Sequence, residues 1–193
     1  MTAARTLVAL LCLTAVVGLS ACGQEQQEAG SFQSENAQVA ETEGIYLTLD
    51  DMKYQVQMSR QLNPLIVDDR AYLQGVSASD RELGSDEVWF AVWMRVENET
   101  EGRLELAEDF EIHDTQENVY RPVTIDDTNV FAYRPGPIDG KELYPLPNSP
   151  AGERTPQGSM LLFKVRRFSL DNRPLELLIT SAEGEEGFVN LDV

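Results

Sequence analysis

A chain of 193 residues is long enough for one domain of ordinary size and a short segment outside it. Its 15 basic and 33 acidic residues give a net charge of −18, which argues against nucleic acid as a partner and against docking on anionic lipid through a basic patch. With one histidine and two cysteines, the chain lacks the ligands that zinc or copper sites usually need.

The first residues follow the order of an export signal. Arg5 is the only charged residue before an apolar run over residues 7–19, which only Thr14 and Gly18 interrupt. The run is shorter than the roughly 20 residues that a helix needs to cross a bilayer. A positive residue followed by such a run is typical of a signal peptide. Residues 1–21 are therefore predicted to be a signal peptide.

The end of this signal points to lipidation. The sequence Leu-Ser-Ala-Cys at residues 19–22 resembles a bacterial lipobox. The resemblance implies that the thiol of Cys22 receives a diacylglyceryl group and that the chain is cut just before Cys22; in that family the new amino terminus is often acylated as well. Several acyl chains hold a protein stably on a bilayer, and this anchor would lie on the extracytoplasmic face of the cell membrane. The alternative is an incidental cysteine after an ordinary signal. Cys12 would leave with the signal, and the mature chain would then have no free thiol.

The segment behind Cys22 differs from the rest of the chain. Residues 22–43 are rich in Gln, Glu, Ser and Ala, contain no Lys or Arg, and have only Phe32 and Val39 as large apolar residues. Such a segment cannot bury enough apolar surface to fold alone. It is predicted to be a disordered tether behind the lipidated cysteine.

Residues 44–193 are predicted to form an all-β sandwich. Apolar residues recur there with a period of two, most clearly over residues 88–98, and turn-forming residues separate the runs. No stretch shows helical spacing over three turns. Many short strands with frequent turns are typical of a two-sheet sandwich. The other predicted strands are residues 45–49, 54–58, 110–113, 119–120, 159–165, 175–180 and 188–193.

Several of these runs resemble a known domain. The run over residues 89–98, Phe-Glu-Ile at 110–112, Asp114, Val-Tyr at 119–120, Pro-Ala-Gly-Glu at 150–153 and the run over residues 158–165 are similar to the immunoglobulin-like domain of a largely uncharacterised family of Gram-positive lipoproteins. The resemblance covers most of residues 45–180. It implies an immunoglobulin-like antiparallel β-sandwich and carries no agreed catalytic residues.

The search for chemistry gives no catalytic or metal-ligating residues and no expected cofactor. His113 alternates with Phe110 and Ile112, which places it on the solvent side of its strand. The sequence also has no Gly-x-Ser-x-Gly motif to supply the nucleophile of a catalytic triad. The acidic pairs at residues 50–51, 68–69 and 126–127 are a weak indication of calcium, because they lack the spacing of a calcium loop. An enzyme that uses two carboxylates stays open as the least favoured alternative.

Two groups of aromatic residues are candidates for an interaction surface. The long segment 126–150 contains Phe131, Tyr133, Arg134 and Tyr144, residue types that are enriched where proteins bind each other. These aromatic residues either contact a partner or fold the segment back onto the sandwich. Trp89 and Trp93 lie on the face of their strand opposite to Val88 and Val92. They are either covered by a neighbouring loop or form an exposed strip for a sugar or a peptide.

The sequence therefore predicts a membrane-anchored surface lipoprotein with a non-enzymatic immunoglobulin-like module that binds a protein or a small molecule. The alternative is an accessory or scaffold subunit of a membrane or cell-envelope complex. Its predicted partners are the bilayer, through the diacylglyceryl group on Cys22, and an unidentified protein or small molecule.

Replacing Cys22 with Ser should abolish labelling of the protein by radioactive palmitate and release it from sedimenting membranes, because a hydroxyl cannot form the thioether. The matched control is Cys12→Ser, which should leave the label and the sedimentation unchanged. Membrane sedimentation of the Cys22→Ser chain at the parent level would show that the anchor lies elsewhere.

Overall fold

The structure is a computed structural model that describes residues 37–192. The predicted signal peptide, Cys22 and most of the predicted tether lie outside these residues. Sheet I has the strand order β1 (Gln38–Ala40), β12 (Glu186–Leu191), β11 (Leu175–Thr180), β6 (Asp109–His113) and β7 (Val119–Tyr120). Sheet II has the order β10 (Ser159–Arg166), β4 (Glu87–Asn98), β3 (Met52–Leu62) and β2 (Tyr46–Leu49), with β9 (Leu143–Tyr144) paired to β4. A separate two-stranded ladder joins β5 (Leu104–Glu105) and β8 (Pro137–Ile138).

The strand order is that of an immunoglobulin-like sandwich. In that fold, strands G, F and C form one sheet, and strands A, B and E form part of the other. Here β12, β11 and β6 take the first three places, and β3, β4 and β10 take the second three. Where a D strand would pair with β10, the long connection 121–158 makes only isolated bridges to it. The predicted all-β, immunoglobulin-like sandwich is confirmed.

The sandwich begins earlier in the chain than predicted. Residues 38–40 were expected to be tether, but they form β1, which pairs in parallel with β12. The Thr42 hydroxyl donates to both carboxylate oxygens of Asp192 at 2.7 and 2.8 Å, and the Asp192 N–H donates to Glu43 at 3.1 Å. The predicted boundary at residue 44 is therefore too late. Three paired residues are too few to show a period of two in the sequence.

Strand β4 is apolar on both faces, and each face has its own core. Its inner residues Phe90, Val92 and Met94 are 0% exposed and pack between the two sheets. Its outer residues Trp89 and Trp93 are 4% and 1% exposed and belong to a second cluster, on the outside of sheet II. The other buried members of that cluster are Leu62, Tyr72, Val76, Ala91, Ile125, Ala132, Met160 and Leu162.

Short helices complete the fold. Helix α1 (Val67–Tyr72) covers the outside of sheet II, α2 (Pro150–Glu153) precedes β10, and a 3₁₀ turn follows β10 at Arg167–Leu170. The sequence did not predict α1, because six residues are too short to show helical spacing over three turns. In the part of the chain that the structure describes, no helix has both the length and the apolar composition to cross a membrane.

A buried carboxylate attaches α1 to sheet II. Asp69 is 2% exposed, and its two oxygens accept hydrogen bonds from the Arg60 guanidinium at 2.6 and 3.2 Å. The Asn63 N–H donates to the same carboxylate at 2.7 Å. Arg60 also lies over the Trp93 ring, 5.2 Å from its centroid. The hydrogen bonds from Arg60 hold the pKa of Asp69 below its ordinary value.

Replacing Asp69 with Asn should lower the free energy of unfolding by about 2 kcal/mol at neutral pH, because the buried charged hydrogen bonds to Arg60 are lost. Urea denaturation followed by tryptophan fluorescence measures this change. A carboxyl whose pKa is depressed by folding stabilises the protein above its ordinary pKa, and this contribution is lost as it is protonated. The difference between the two chains should therefore shrink below about pH 4.

The matched control is Asp68→Asn. The Asp68 side chain is 80% exposed and contacts Arg154 at 3.2 Å, so its loss should cost less than about 1 kcal/mol. An equal cost for the two variants would show that Asp69 does not hold α1 on the sheet.

Candidate functional site

The long connection between β7 and β10 is fastened along the free edge of β10. The Val123 N–H donates to the Leu162 carbonyl at 2.8 Å, and the Tyr133 N–H donates to the Met160 carbonyl at 2.8 Å. The Met160 N–H in turn donates to the Phe131 carbonyl at 2.7 Å. The connection thus supplies hydrogen-bond partners that a regular neighbouring strand would otherwise provide.

A buried amide holds the middle of this connection. Asn129 is 4% exposed, and its Nδ2 donates to the carbonyls of Tyr72 and Gln74 at 2.9 and 2.8 Å. Its Oδ1 accepts from the Phe131 N–H at 3.0 Å. Those two carbonyls lie at and just beyond the end of α1, where backbone acceptors have no partner within the helix. One side chain therefore joins the connection to the layer outside sheet II.

Tyr133 belongs to the core between the two sheets. It is 6% exposed, and its ring packs edge to face against Phe110 at 5.1 Å and Tyr144 at 5.4 Å. Its hydroxyl donates to the Ala107 carbonyl at 3.1 Å, and the Ala107 N–H donates to the Tyr54 hydroxyl at 3.0 Å. Burial raises the pKa of Tyr54 to about 12 and that of Tyr133 well above its ordinary value. The two hydroxyls satisfy both backbone groups of the buried Ala107.

Arg134 fixes the backbone that follows Tyr133. Its guanidinium donates to the Ile125 carbonyl at 2.7 Å and to the Asp126 carbonyl, and its Nε lies 3.6 Å from the Asp127 carboxylate. Its backbone N–H donates to the Tyr144 hydroxyl at 2.7 Å. The guanidinium therefore binds carbonyls of the same connection and ties two of its parts together. We call Arg134 with these hydrogen bonds the clamp.

Two grooves lie on either side of this clamp, and Arg134 lines both. The first has a volume of about 460 Å³ and runs along the edge of β10. The second has a volume of about 420 Å³ and lies between the connection and α2. Val130 and Leu146, at the rim of the second groove, are 57% and 51% exposed. The apolar wall of the first groove includes Phe110, Val123, Ile125, Tyr133, Met160 and Leu162, and its charged residues include Glu108, Asp109 and Arg121. The apolar wall of the second groove includes Ile138, Leu143, Tyr144, Pro145 and Ala151.

The structure separates the six candidate interaction residues. Trp89, Trp93 and Tyr133 are buried in the two core clusters, so the alternative that exposes them to a partner is wrong, although one side of Tyr133 borders the first groove. The two tryptophans are covered by neighbouring segments, which was one of the two alternatives. Phe131 is half-buried against the Tyr72 ring at 5.2 Å. Arg134 and the half-buried Tyr144 border the grooves.

The prediction for His113 is also wrong, since the residue is 7% exposed instead of facing solvent. Its Nε2 lies 2.7 Å from the carboxylate of Glu111. Alternation places a residue on the outer face of a strand but does not show whether that face is covered.

The three acidic pairs have separate structural roles. Asp50 and Asp51 form the two-residue turn between β2 and β3, with φ angles of 48° and 63°, and Asp50 accepts from the Glu183 N–H at 2.9 Å. Asp126 accepts from the Thr128 N–H at 2.9 Å. Among residues 37–192 no group of three or more His, Cys, Asp or Glu side chains is placed to hold a metal ion. The pairs therefore do not converge on one site.

Comparison with solved structures shows similarity of fold at low sequence identity. The chain is similar to the yjhA protein of Bacillus subtilis with a TM-score of 0.47 and 10% identity, over 79% of this chain and 99% of that one. It is similar to a putative lipoprotein, ycdA, of the same organism with a TM-score of 0.48 and 12% identity, over 76% of this chain but only 38% of ycdA. An uncharacterised β-sandwich protein of Clostridium difficile gives a TM-score of 0.46 and 11% identity, over 84% of this chain and 99% of that one. No protein-family model and no curated protein matches the sequence.

Replacing Tyr133 with Ala should lower the free energy of unfolding by about 3–5 kcal/mol, because a large ring is removed from the core. Tyr133→Phe should cost about 1–3 kcal/mol, because the buried Ala107 carbonyl loses its donor. Urea denaturation followed by tryptophan fluorescence measures both changes.

The matched control is Val130→Ala, in the same connection but 57% exposed, which should change stability by less than about 0.5 kcal/mol. An unaltered stability of the Tyr133→Ala chain would mean that the ring serves a partner and not the core.

Proposed function

We propose that this chain is a non-enzymatic binding module, held at a membrane surface through lipid on Cys22, and that its partner binds in the two grooves beside Arg134. The observation that carries the proposal is the clamp itself. Arg134 and Tyr144 fix the wall that the grooves share by hydrogen bonds within the domain, so the grooves exist before a partner arrives. A preformed concavity loses less conformational entropy on binding than a loop that must be ordered.

The lining of the second groove indicates the kind of partner. Its walls are mainly apolar, and the exposed side chains of Val130 and Leu146 stand at its rim. Exposed apolar residues beside an apolar concavity are typical of protein contact sites. The partner that fits is a protein segment that contributes an apolar side chain.

The same surface would serve an accessory subunit of an envelope complex. The two roles differ in the partner and not in the site. An accessory subunit holds a membrane protein in fixed stoichiometry, whereas a binding module takes up a ligand that exchanges. The identity and stoichiometry of the captured partner therefore separate them.

A photo-crosslinking amino acid at position 130 or 146 should give a covalent adduct in living cells, because both positions border the second groove. The same amino acid at positions 46 and 119 should give none, although Tyr46 and Val119 are 40% and 47% exposed. Electrophoresis and mass spectrometry of the purified chain identify the adducts.

A second substitution tests whether the groove itself is occupied. Leu146→Asp places a charge at the rim and should lower the yield of the adduct formed at position 130 by about tenfold, which is a loss of about 1.4 kcal/mol in affinity. Equal adducts at all four positions, or an undiminished adduct in the Leu146→Asp chain, would overturn the site.

A further inference from the structure

One half-buried arginine on the outside of sheet II has no partner. Among residues 37–192 the half-buried arginines are Arg60, Arg95, Arg134 and Arg154. Arg60 and Arg154 bind carboxylates, and Arg134 binds backbone carbonyls. In that part of the chain, the Arg95 side chain alone of these four forms neither an ion pair nor a hydrogen bond. A guanidinium that is partly withdrawn from water without an acceptor is suited to bind an acceptor from another molecule.

Arg95 lines a small pocket. The pocket has a volume of about 150 Å³, and Arg95 is the only charged residue among the described residues that line it. Sites that hold a whole small molecule commonly have volumes of about 300 Å³ or more, so this pocket suits a single side-chain group. We call it the Arg95 pocket, and its uncharged lining residues are Leu143, Pro145, Pro147, Gly152, Gln157 and Gly158.

Two glycines hold the walls of the Arg95 pocket in place. The φ angle of Gly158 is 138°, and a Cβ at that position would lie 3.0 Å from backbone atoms of Met94. The Gly158 N–H also donates to the Ala151 carbonyl of α2 at 2.9 Å. A Cβ on Gly152 would clash with the Leu146 carbonyl. The pocket is therefore formed by closely packed backbone, and binding does not have to order its walls.

The neighbours of Arg95 on β3 and β4 bind other groups. Glu97 lies on the same face of β4, two residues further along, but the register places it opposite Lys53. Gln55 is the residue opposite Arg95, and its side-chain oxygen accepts instead from the Gln57 amide. The charge of Arg95 is thus not matched by a contacting carboxylate within residues 37–192.

The Arg95 pocket adjoins the second groove, because Leu143 and Pro145 line both. A protein segment with an apolar side chain in that groove can present a neighbouring side chain to Arg95. A guanidinium forms paired hydrogen bonds with a carboxylate, and charged hydrogen bonds are roughly twice as strong as neutral ones. The Gln157 amide, which forms no hydrogen bond with the rest of the described residues, supplies a further donor.

We propose that the Arg95 pocket is a carboxylate subsite, in which Arg95 and Gln157 bind an Asp or Glu side chain of the protein segment that occupies the second groove. The net charge of −18 repels acidic segments from most of the surface, so a free guanidinium fixes where the carboxylate binds. The position of the segment rests on the proposed function. The affinity of the pocket for a carboxylate does not, and it can be measured alone.

A titration followed by nuclear magnetic resonance tests the subsite. The exported chain is labelled with ¹⁵N-arginine and purified in detergent, and the Nε–Hε resonance of Arg95 is assigned from its loss in the Arg95→Met chain. The α-amide of N-acetylglutamate carries one side-chain carboxylate, and the α-amide of N-acetylglutamine is its neutral match. At about pH 6, where that carboxyl is ionised, and at constant ionic strength, the charged probe should shift the resonance saturably. It should bind about tenfold more tightly than the neutral probe, because its hydrogen bonds to Arg95 are charge-assisted.

Arg173 provides the internal control. It is exposed and forms no ion pair within residues 37–192, so its resonance should respond alike to the two probes. The Arg95→Met chain keeps an aliphatic side chain and should unfold in urea at the same concentration as the parent chain, since no hydrogen bond is lost.

Equal affinities for the two probes, or equal shifts of Arg95 and Arg173 with the charged probe, would overturn the subsite. Either result leaves the adducts expected at positions 130 and 146 unaffected, so the subsite can fail while the proposed function stands. Absence of those adducts would reject the groove and leave the measured carboxylate affinity of the pocket unchanged.

Discussion

Strand β4 has large apolar side chains on both faces, and most of the remaining structure follows from the need to cover them. One face packs against sheet I, as in any sandwich. The other presents two tryptophans that would expose a large apolar surface on their own. Helix α1 and the connection 121–158 supply the second cover. The domain is therefore three layers deep at β4.

Two side chains satisfy several of the backbone groups that this third layer buries. Covering a sheet with irregular chain buries backbone groups that need partners. The Asn129 amide donates to the Tyr72 carbonyl at the end of α1. The Asp69 carboxylate accepts from the Asn63 N–H, which lies ahead of the first turn of α1. Each side chain bonds several groups at once, which suits a layer with little regular structure. Arg134, which lines both grooves, donates to carbonyls of the same connection.

The sequence predicts the strands well because each long strand alternates in its own residues. Strand β11 has the predicted bounds, and β4 begins one residue before them. Strand β3 departs from a simple pattern, since a bulge between Val56 and Met58 turns Met58 to the outer face, where it is 37% exposed. An extra residue reverses which side chains of a strand face the core, and the local sequence shows no pattern that would predict it.

What covers a face could not be predicted, because the cover comes from distant residues. Tyr72 packs on Trp93 and Tyr133 reaches Ala107, contacts between segments far apart in the chain. Composition correctly indicated that segment 126–150 contains important aromatic residues. It could not distinguish an aromatic ring for the core from one for a partner, because both uses favour the same residue types. The grooves depend on backbone geometry and leave no signal in the sequence.

The parallel pairing of β1 with β12 has a mechanical consequence. Strand β1 is the first strand of the described residues, so a pull on the chain ahead of residue 38, such as the proposed anchor on Cys22 would exert, acts on this strand. The hydrogen bonds of a parallel pair lie across the strand axis. A force along the strand axis therefore loads these hydrogen bonds together in shear instead of opening them one at a time. Ala40, buried between the sheets, adds resistance to sliding. A strand of three residues can in this way transmit tension to the whole domain.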